Sequence, residues 1–335
     1  MKTKIAINGF GRIGRTFFRT AHAAGLNIVA INDLVDLETL AHLLQYDSTY
    51  GKFSGNIEIN NGKLFIDGTE IKTFAIKEPA KLPWKELSVK IVIESTGIFC
   101  DYQSAEKHLK AGAKLVIISA PATGARKVKT FVFGVNHQDF SSSDKVISMA
   151  SCTTNCLVPV AKVLDDYFGI KKASMNTVHS FTMDQKLQDS PHKDLRRARS
   201  ALQSIVPTTT GATIAASQVL PKLKDKINGI SLRVPTATVS IIDLIALLKK
   251  KTTPEEINSA FEKEAKNPHW FGTLAVSDQP LVSSDFKANP AGAIVDLLST
   301  QVIDDDLVRV LAWYDNEMGY SYRLAEFVKY LGDKF

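Results

Sequence analysis

The segment Gly9-Phe10-Gly11-Arg12-Ile13-Gly14 restricts this chain's folding more than any other, because its glycines lie between two differently patterned stretches. Ile5 to Asn8 before it is a short apolar run of strand character, and Arg15 to Ala24 after it repeats with helical spacing. A strand-to-helix turn without side chains lets a pyrophosphate approach the backbone, where free N–H groups at the helix start face its charge. A second apolar run, Ile28 to Ile31, ends in Asn32-Asp33, about 20 residues past the last glycine. A carboxylate there accepts hydrogen bonds from an adenosine ribose and repels a 2′-phosphate. Strand, glycine turn, helix, strand and acid in that order predict a dinucleotide site with Gly9, Gly11, Gly14 and Asp33 as contacts, and NAD preferred over NADP.

The same alternation continues. Ile91-Val92-Ile93, Leu115 to Ile118 and Val146-Ile147-Ser148 are further β-branched runs, with a helical pattern at Ser104 to Ala111. Short apolar strands separated by helices predict a doubly wound parallel sheet over residues 1–150. Ile57 to Asn60, the turn Asn61-Gly62 and Lys63 to Ile66 interrupt that pattern as a β-hairpin. From Ser151 the strands lengthen, at 173–183, 230–234, 239–248 and 308–314, with helices at 211–220 and 254–265 between them. This predicts a second, α+β domain with a mixed sheet over 151–316. A helix toward the end of the chain, within 317–335, is expected to return to the first domain. The polar stretch 182–207 lacks periodicity and is long enough to serve a function or bridge subunits.

Charge and composition narrow the function. The excess of 41 Lys+Arg over 35 Asp+Glu is only +6, spread along the chain, and suits small anions rather than nucleic acid. The basic run Gly124 to Lys129 has no assigned role. The start of the chain shows no signal-peptide pattern, and no 18-residue apolar span occurs, which predicts a cytoplasmic protein with no membrane partner. Three cysteines, Cys100, Cys152 and Cys156, are too few for a disulfide framework.

Ser151-Cys152-Thr153-Thr154-Asn155-Cys156 precedes an apolar helical stretch, so Ser151 is the expected N-cap and Cys152 sits in the first turn. A helix start is expected to lower a thiol's pKa and to offer N–H groups to an oxyanion. Burial as a small apolar side chain is the competing reading for Cys152, and the spacing to Cys156 also fits zinc, though no second Cys/His pair accompanies it. Pro159 inside this helix is expected to kink it. His179 is the candidate base, with His137 and His192 as alternatives from sequence position alone.

Taken in order, Asn8 to Arg15, Ala150 to Cys156, Thr177-Val178-His179, His192 to Arg197, Thr208 to Ala212, Arg233 to Thr236 and Trp313 to Glu317 resemble the phosphorylating glyceraldehyde-3-phosphate dehydrogenases over nearly the whole chain. The resemblance implies a homotetramer whose subunits carry a Rossmann domain and a catalytic domain, with 182–207 as the family's S-shaped loop. It implies that Cys152 attacks the aldehyde of glyceraldehyde 3-phosphate, that His179 takes the proton, and that inorganic phosphate cleaves the resulting thioester. Thr182, Asp184 and Arg233 match the pocket for the substrate phosphoryl group. Thr153, Arg197, Thr210 and Gly211 match that for attacking phosphate, with Ser151 beside the nucleophile also counted among the substrate contacts. Arg12 and Ile13 match pyrophosphate contacts, Lys77 stands near the adenine, Thr96, Gly97 and Ser119 match nicotinamide-proximal strand ends, and Asn316 matches the carboxamide anchor. Ser190-Pro191 in place of the family's Leu-Pro leaves NADP use open. The nearest competing activity is that of erythrose-4-phosphate dehydrogenases, which release an acid by hydrolysis, and a non-catalytic binding role is a further alternative.

Overall fold

The computed structural model describes residues 2–332 and 334, and the chain divides into two units. Unit 1 comprises Met1–Phe131, His137–Ala150 and Leu324–Phe335; unit 2 comprises Val132–Asn136 and Ser151–Arg323.

In unit 1 the elements run β1 (Lys4–Asn8), α1 (Arg12–Ala23), β2 (Asn27–Asn32), α2 (Leu37–Gln45), the small pair β3 (Tyr46–Asp47) and β4 (Gly51–Lys52), β5 (Ile57–Asn60), β6 (Lys63–Ile66), β7 (Thr69–Phe74), β8 (Ile91–Glu94), α3 (Tyr102–Ala105), α4 (Lys107–Lys110), β9 (Leu115–Ile118), β10 (Lys129–Thr130) and β11 (Val146–Ser148). Nine of these strands form one sheet in the order β10-β11-β9-β8-β1-β2-β7-β6-β5. β1 pairs in parallel with both β2 and β8, so the chain winds outward on either side of it. The C-terminal ends of β1, β2 and β8 therefore frame the switch point where an open sheet of this kind binds a ligand. Ile5, Ile7, Val92 and Ile117 lie wholly in the core, which accounts for the near-continuous apolar strands.

The hairpin β5–β6 turns at Asn61 and Gly62, both with positive φ (50° and 70°), the geometry that Asn-Gly tolerates. The helix expected over 104–111 is instead two single turns, α3 and α4, meeting at Glu106. Asp101 caps α3 through Ser104 N at 2.9 Å.

Unit 2 contains α5 (Cys152–Phe168), β12 (Ile170–Ser180), β13 (Val206–Thr208), α6 (Ala212–Val219), β14 (Ile227–Val234), β15 (Ser240–Leu248), α7 (Pro254–Ala265), β16 (Leu274–Ser277), β17 (Ala293–Ile303) and β18 (Leu307–Tyr314). Its seven-stranded sheet, β13-β14-β12-β15-β18-β17-β16, mixes parallel pairs (β12/β14, β16/β17) with antiparallel ones. β13, β16 and β17 escape the sequence reading; in β17 residues 293–297 are all buried, so no two-residue alternation marks it, and its register against β18 slips between Asp296 and Gln301. α5 packs Leu157, Val160, Ala161 and Leu164 into the core shared with β15, β17 and β18. It continues through Pro159 to Phe168, so the proline does not end it.

α8 (Met318–Gly332) is common to both units, since its residues to Arg323 cluster with unit 2 and those from Leu324 with unit 1. In unit 1 it sets Phe327 against Phe131, centroids 5.5 Å apart, and Thr3 Oγ1 donates to Gly332 O at 2.9 Å. Of the expected helical span 317–335, positions 333 and 335 lie outside the described residues. No helix among the described residues is long and apolar enough to cross a membrane.

Candidate active site

In unit 1 the glycine turn is shaped by close approach. Gly9 has φ +91°, and a Cβ there would meet Thr96 N at 2.6 Å. A Cβ on Gly14 would meet Gly9 O at 2.2 Å, whereas one on Gly11 would meet nothing within 4 Å. Gly9 and Gly14 are thus demanded by the fold, and Gly11 leaves open space where a ligand's backbone approach is expected. The turn opens α1, whose first residues are Arg12 and Ile13. Arg12 is tied to Asp47 at 2.7 Å and lies over the Tyr50 ring.

Asp33, at the end of β2, accepts from Phe10 N (2.6 Å) through Oδ2 and from Val35 N (3.1 Å) through Oδ1. It clamps the glycine turn as well as lining the cavity of about 600 Å³ beside it, together with Gly9, Gly11, Lys77 and Thr96. Gly97, with φ +72°, and Ser119, whose N–H donates to Glu94 O at 2.9 Å, terminate the neighbouring strands. Glycines that no side chain can replace, an acid at the next strand end and a roomy adjoining cavity fit a dinucleotide.

In unit 2 the nucleophile and its base meet. Ser151 caps α5 by accepting from Thr154 N at 3.1 Å, which fixes Cys152 as the first helical residue. Ala150, immediately before, is held at φ +55°, a backbone state an alanine seldom adopts. Cys152 Sγ lies 3.4 Å from His179 Nε2, His179 being the penultimate residue of β12. Of the other candidates, His137 packs in unit 1 against Tyr330, and His192 bonds locally to Asp194. Cys156 is fully buried, its Sγ donating to Ala312 O at 3.7 Å, so it faces the core one turn along α5 from Cys152.

The electrostatics correct one expectation. Burial pushes the Cys152 thiol up, outweighing the opposing pull of Arg233 and of the Thr153 N–H, so the helix start does not by itself yield a resting thiolate. Burial and the Arg233 charge push His179 down to about 3. At neutral pH the pair is a thiol beside a neutral imidazole, and such a pair needs proton transfer during attack rather than a preformed ion pair.

Of the residues expected as anion anchors, Arg233 lies against His179 and Arg197 against Asp184. Arg233 Nη1 approaches His179 Nδ1 at 2.8 Å, and Arg197 Nε stands 3.3 Å from Asp184 Oδ2. Thr182 Oγ1 donates to Asp184, and Arg233 and Arg197 help to hold that carboxyl below its usual range against the cost of burial. Asp184 is therefore a counter-ion to the arginines and not itself an anion donor. The buried Nε of Arg233 makes no hydrogen bond and is left as a donor for a tetrahedral anion, whereas Arg197 Nε faces the Asp184 carboxylate. Thr210 Oγ1 accepts from Ala212 N at 3.1 Å, and a Cβ on Gly211 would meet nothing within 4 Å. Thr153 points elsewhere, its hydroxyl bonding Tyr314 OH at 2.9 Å.

Sequence reasoning missed Tyr314 and the serines around Asn316. The Tyr314 hydroxyl bridges Thr153 and Thr177 (2.9 and 2.8 Å), and its ring meets His179 edge-on. Asn316 Oδ1 accepts from Ser180 Oγ (2.8 Å) and Ser240 Oγ (3.1 Å), leaving its amide nitrogen as the donor to offer. Tyr314 stands directly before the quoted Asp315-Asn316, but no local pattern distinguishes a core tyrosine from one whose hydroxyl joins two elements.

Unit 1 carries a cradle of dinucleotide type and unit 2 a cysteine–histidine pair, the parts of a nicotinamide-dependent oxidoreductase. Comparison with known proteins is specific. Residues 3–102 match the model of the glyceraldehyde 3-phosphate dehydrogenase NAD binding domain, and residues 151–316 that of the C-terminal domain. The glyceraldehyde-3-phosphate dehydrogenase of Geobacillus stearothermophilus is 51% identical over 336 residues, covering 100% of this chain and 99% of that protein. Glyceraldehyde-3-phosphate dehydrogenase 1 of Bacillus subtilis is 50% identical over 100% and 99% of the two chains. The chloroplastic glyceraldehyde-3-phosphate dehydrogenase A of Chlamydomonas reinhardtii is 50% identical over 100% and 90%. The chain belongs to the glyceraldehyde-3-phosphate dehydrogenase family.

Proposed function

We propose that this protein oxidises glyceraldehyde 3-phosphate to 1,3-bisphosphoglycerate, using inorganic phosphate and NAD. The observation that carries this reading is the 3.4 Å contact between Cys152 Sγ and His179 Nε2, with Arg233 against His179 and Arg197 paired with Asp184. Cys152 Sγ attacks the aldehyde carbon as its proton passes to His179 Nε2, and a thiohemiacetal forms. His179, once protonated, and the N–H groups at the start of α5 stabilise the developing oxyanion. When bound, NAD would supply the hydride acceptor that takes that carbon to the thioester level. A phosphate oxygen then attacks the thioester carbonyl, and Cys152 leaves as thiolate and regains a proton from His179. Thr182 and Arg233 orient the substrate phosphoryl group; Arg197, with Thr210 and Gly211, orients the attacking phosphate.

His179 acts as a base at Nε2 only when Nδ1 carries the proton, which Ser180 O is placed to accept at 2.7 Å. The Arg233 contact to Nδ1 belongs to the other tautomer. Asp33 favours NAD by its charge at the ribose end of the cavity. A homotetrameric assembly is supported by Met183 and Leu195, 85% and 82% exposed in the loop 182–207.

The decisive experiment measures NAD and NADP reduction with glyceraldehyde 3-phosphate and with erythrose 4-phosphate, each with and without inorganic phosphate. The reading requires a phosphate-dependent rate that is highest with glyceraldehyde 3-phosphate and NAD. A rate indifferent to phosphate overturns it.

A further inference from the structure

Beneath the cavity of unit 1 lies a set of buried polar side chains whose hydrogen bonds run toward one carboxylate, apart from a second bond from Asn32 Nδ2 to Ile76 O at 3.0 Å. The Trp84 indole N–H donates to His108 Nδ1 at 3.0 Å. That fixes the proton of His108 on Nε2, which lies 3.0 Å from Glu94 Oε2. From the other side Ile76 N donates to Asn32 Oδ1 (2.9 Å), Asn32 Nδ2 to Asn8 Oδ1 (2.7 Å) and Asn8 Nδ2 to Glu94 Oε2 (2.6 Å). The other carboxylate oxygen accepts Thr96 N (2.9 Å) and the Thr96 hydroxyl. Trp84, His108, Glu94 and Asn8 are each at most 1% exposed. Asn8 Nδ2, His108 Nε2, Thr96 N and the Thr96 hydroxyl all give hydrogen bonds to Glu94, an arrangement that suits an acceptor-only group.

Asn8, Asn32 and Glu94 are the last residues of β1, β2 and β8, the adjacent strand ends that frame the switch point. Asn8, Asn32 and Thr96 line the cavity itself. The Thr96 N–H that Glu94 holds is also the atom against which Gly9 packs, at the 2.6 Å that excludes any side chain there. Thr96 Oγ1 in turn accepts Ile98 N at 3.1 Å.

We propose that Glu94 is a positioning residue for the dinucleotide: its ionised carboxylate fixes the loop after β8 against the glycine turn and levels the cavity floor at Asn8 and Asn32. The inference rests on unit 1 being the dinucleotide site. It assigns to Glu94 a task that it performs without touching the ligand. Glu94→Gln keeps the shape but places an amide donor among donors, so the Thr96 loop is released.

The test is direct titration of the full protein with NAD, followed by calorimetry, beside steady-state kinetics and backbone-independent ¹⁵N spectroscopy of His108. Glu94→Gln is expected to weaken NAD binding at least tenfold and raise the KM for NAD similarly, with kcat at saturating NAD and the KM for the aldehyde within threefold of the parent. Trp84→Phe leaves the four donors on Glu94 in place and is expected to bind NAD within threefold of the parent. The His108 spectrum should show a protonated Nε2 and an unprotonated Nδ1. Failure of the parent itself to bind NAD overturns the reading of unit 1. A parent that binds while Glu94→Gln binds equally well, or Trp84→Phe binds as poorly as Glu94→Gln, overturns the role of Glu94. Should Glu94→Gln not fold, a proton on Nδ1 of His108 in the parent reverses the donor chain and overturns the proposal, whereas a proton on Nε2 supports it.

Discussion

Arg233 Nη1 lies 2.8 Å from His179 Nδ1, the same ring nitrogen that sits 2.7 Å from the carbonyl of Ser180. The two contacts require opposite tautomers, because the guanidinium donates to a bare nitrogen and the carbonyl accepts from a protonated one. An anion engaging Arg233 draws the guanidinium off the ring and favours the tautomer in which Nε2 is the base.

That crowding has a signature in stability. His179 is pushed down to about 3, by burial first and Arg233 second, from an ordinary value of 6.5. The unfolded chain therefore binds a proton at this residue between those values while the folded chain does not, so stability is fully present above about pH 6.5 and falls as the pH is lowered toward 3. Denaturant unfolding at pH 7.5 and pH 5 should show the parent losing more stability than His179→Gln, by up to about 1.4 kcal/mol per pH unit of the window. Equal losses refute the assignment.

Asp33 has two tasks, clamping Phe10 N and Val35 N and facing the cavity. Asp33→Ala should raise the KM for NAD about tenfold or more, the scale of lost hydrogen bonds to a charged group. The ratio of kcat/KM for NADP to that for NAD should rise. An unchanged ratio would place cofactor choice on another residue.

Tyr314 is 1% exposed and joins Thr153 on α5 to Thr177 on β12 through one hydroxyl. Tyr314→Phe removes both bonds without opening a cavity, leaving Thr177 only its bond to Ile241 O at 3.2 Å, and a loss of about 1–3 kcal/mol is expected, read as a lower denaturant midpoint at unchanged slope. Stability equal to that of the parent would show that water or a rotated hydroxyl replaces the bridge.

Ser151 holds the first turn of α5 through Thr154 N. Ser151→Ala should cost about 1 kcal/mol. Because Cys152 follows directly, its alkylation rate by a neutral reagent should change as well; an unaltered rate would separate the cap from thiol geometry.

Much of this was legible in the chain because local rules and ligand demands coincide there. Gly9 and Gly14 are required by backbone contacts that any sequence with this turn must meet, so their spacing between strand and helix is diagnostic. The α5 cap was readable for the same reason, since Ser151 acts on a residue three positions away. The Cys152–His179 contact was only partly readable: the two residues are 27 apart, sequence position put His179 ahead of His137 and His192 without deciding between them, and resemblance to a family then singled it out. The thiol's direction of shift went against expectation because enclosure acts over the whole environment, whereas the helix start is local. Glu94 lay inside an apolar strand with nothing around it in sequence to announce His108, Trp84 and Asn8 as partners.

The bond from Thr3 to Gly332, and the tilted packing of Phe327 against Phe131, give unit 1 a chronology. Its central strand is made first during synthesis, and the helix that braces it is made after all of unit 2. Domains generally fold as they emerge, but this one must wait. A ribosome-bound chain halted before residue 324 would carry the glycine turn without its C-terminal support, so the dinucleotide-binding half matures last although most of it is translated first.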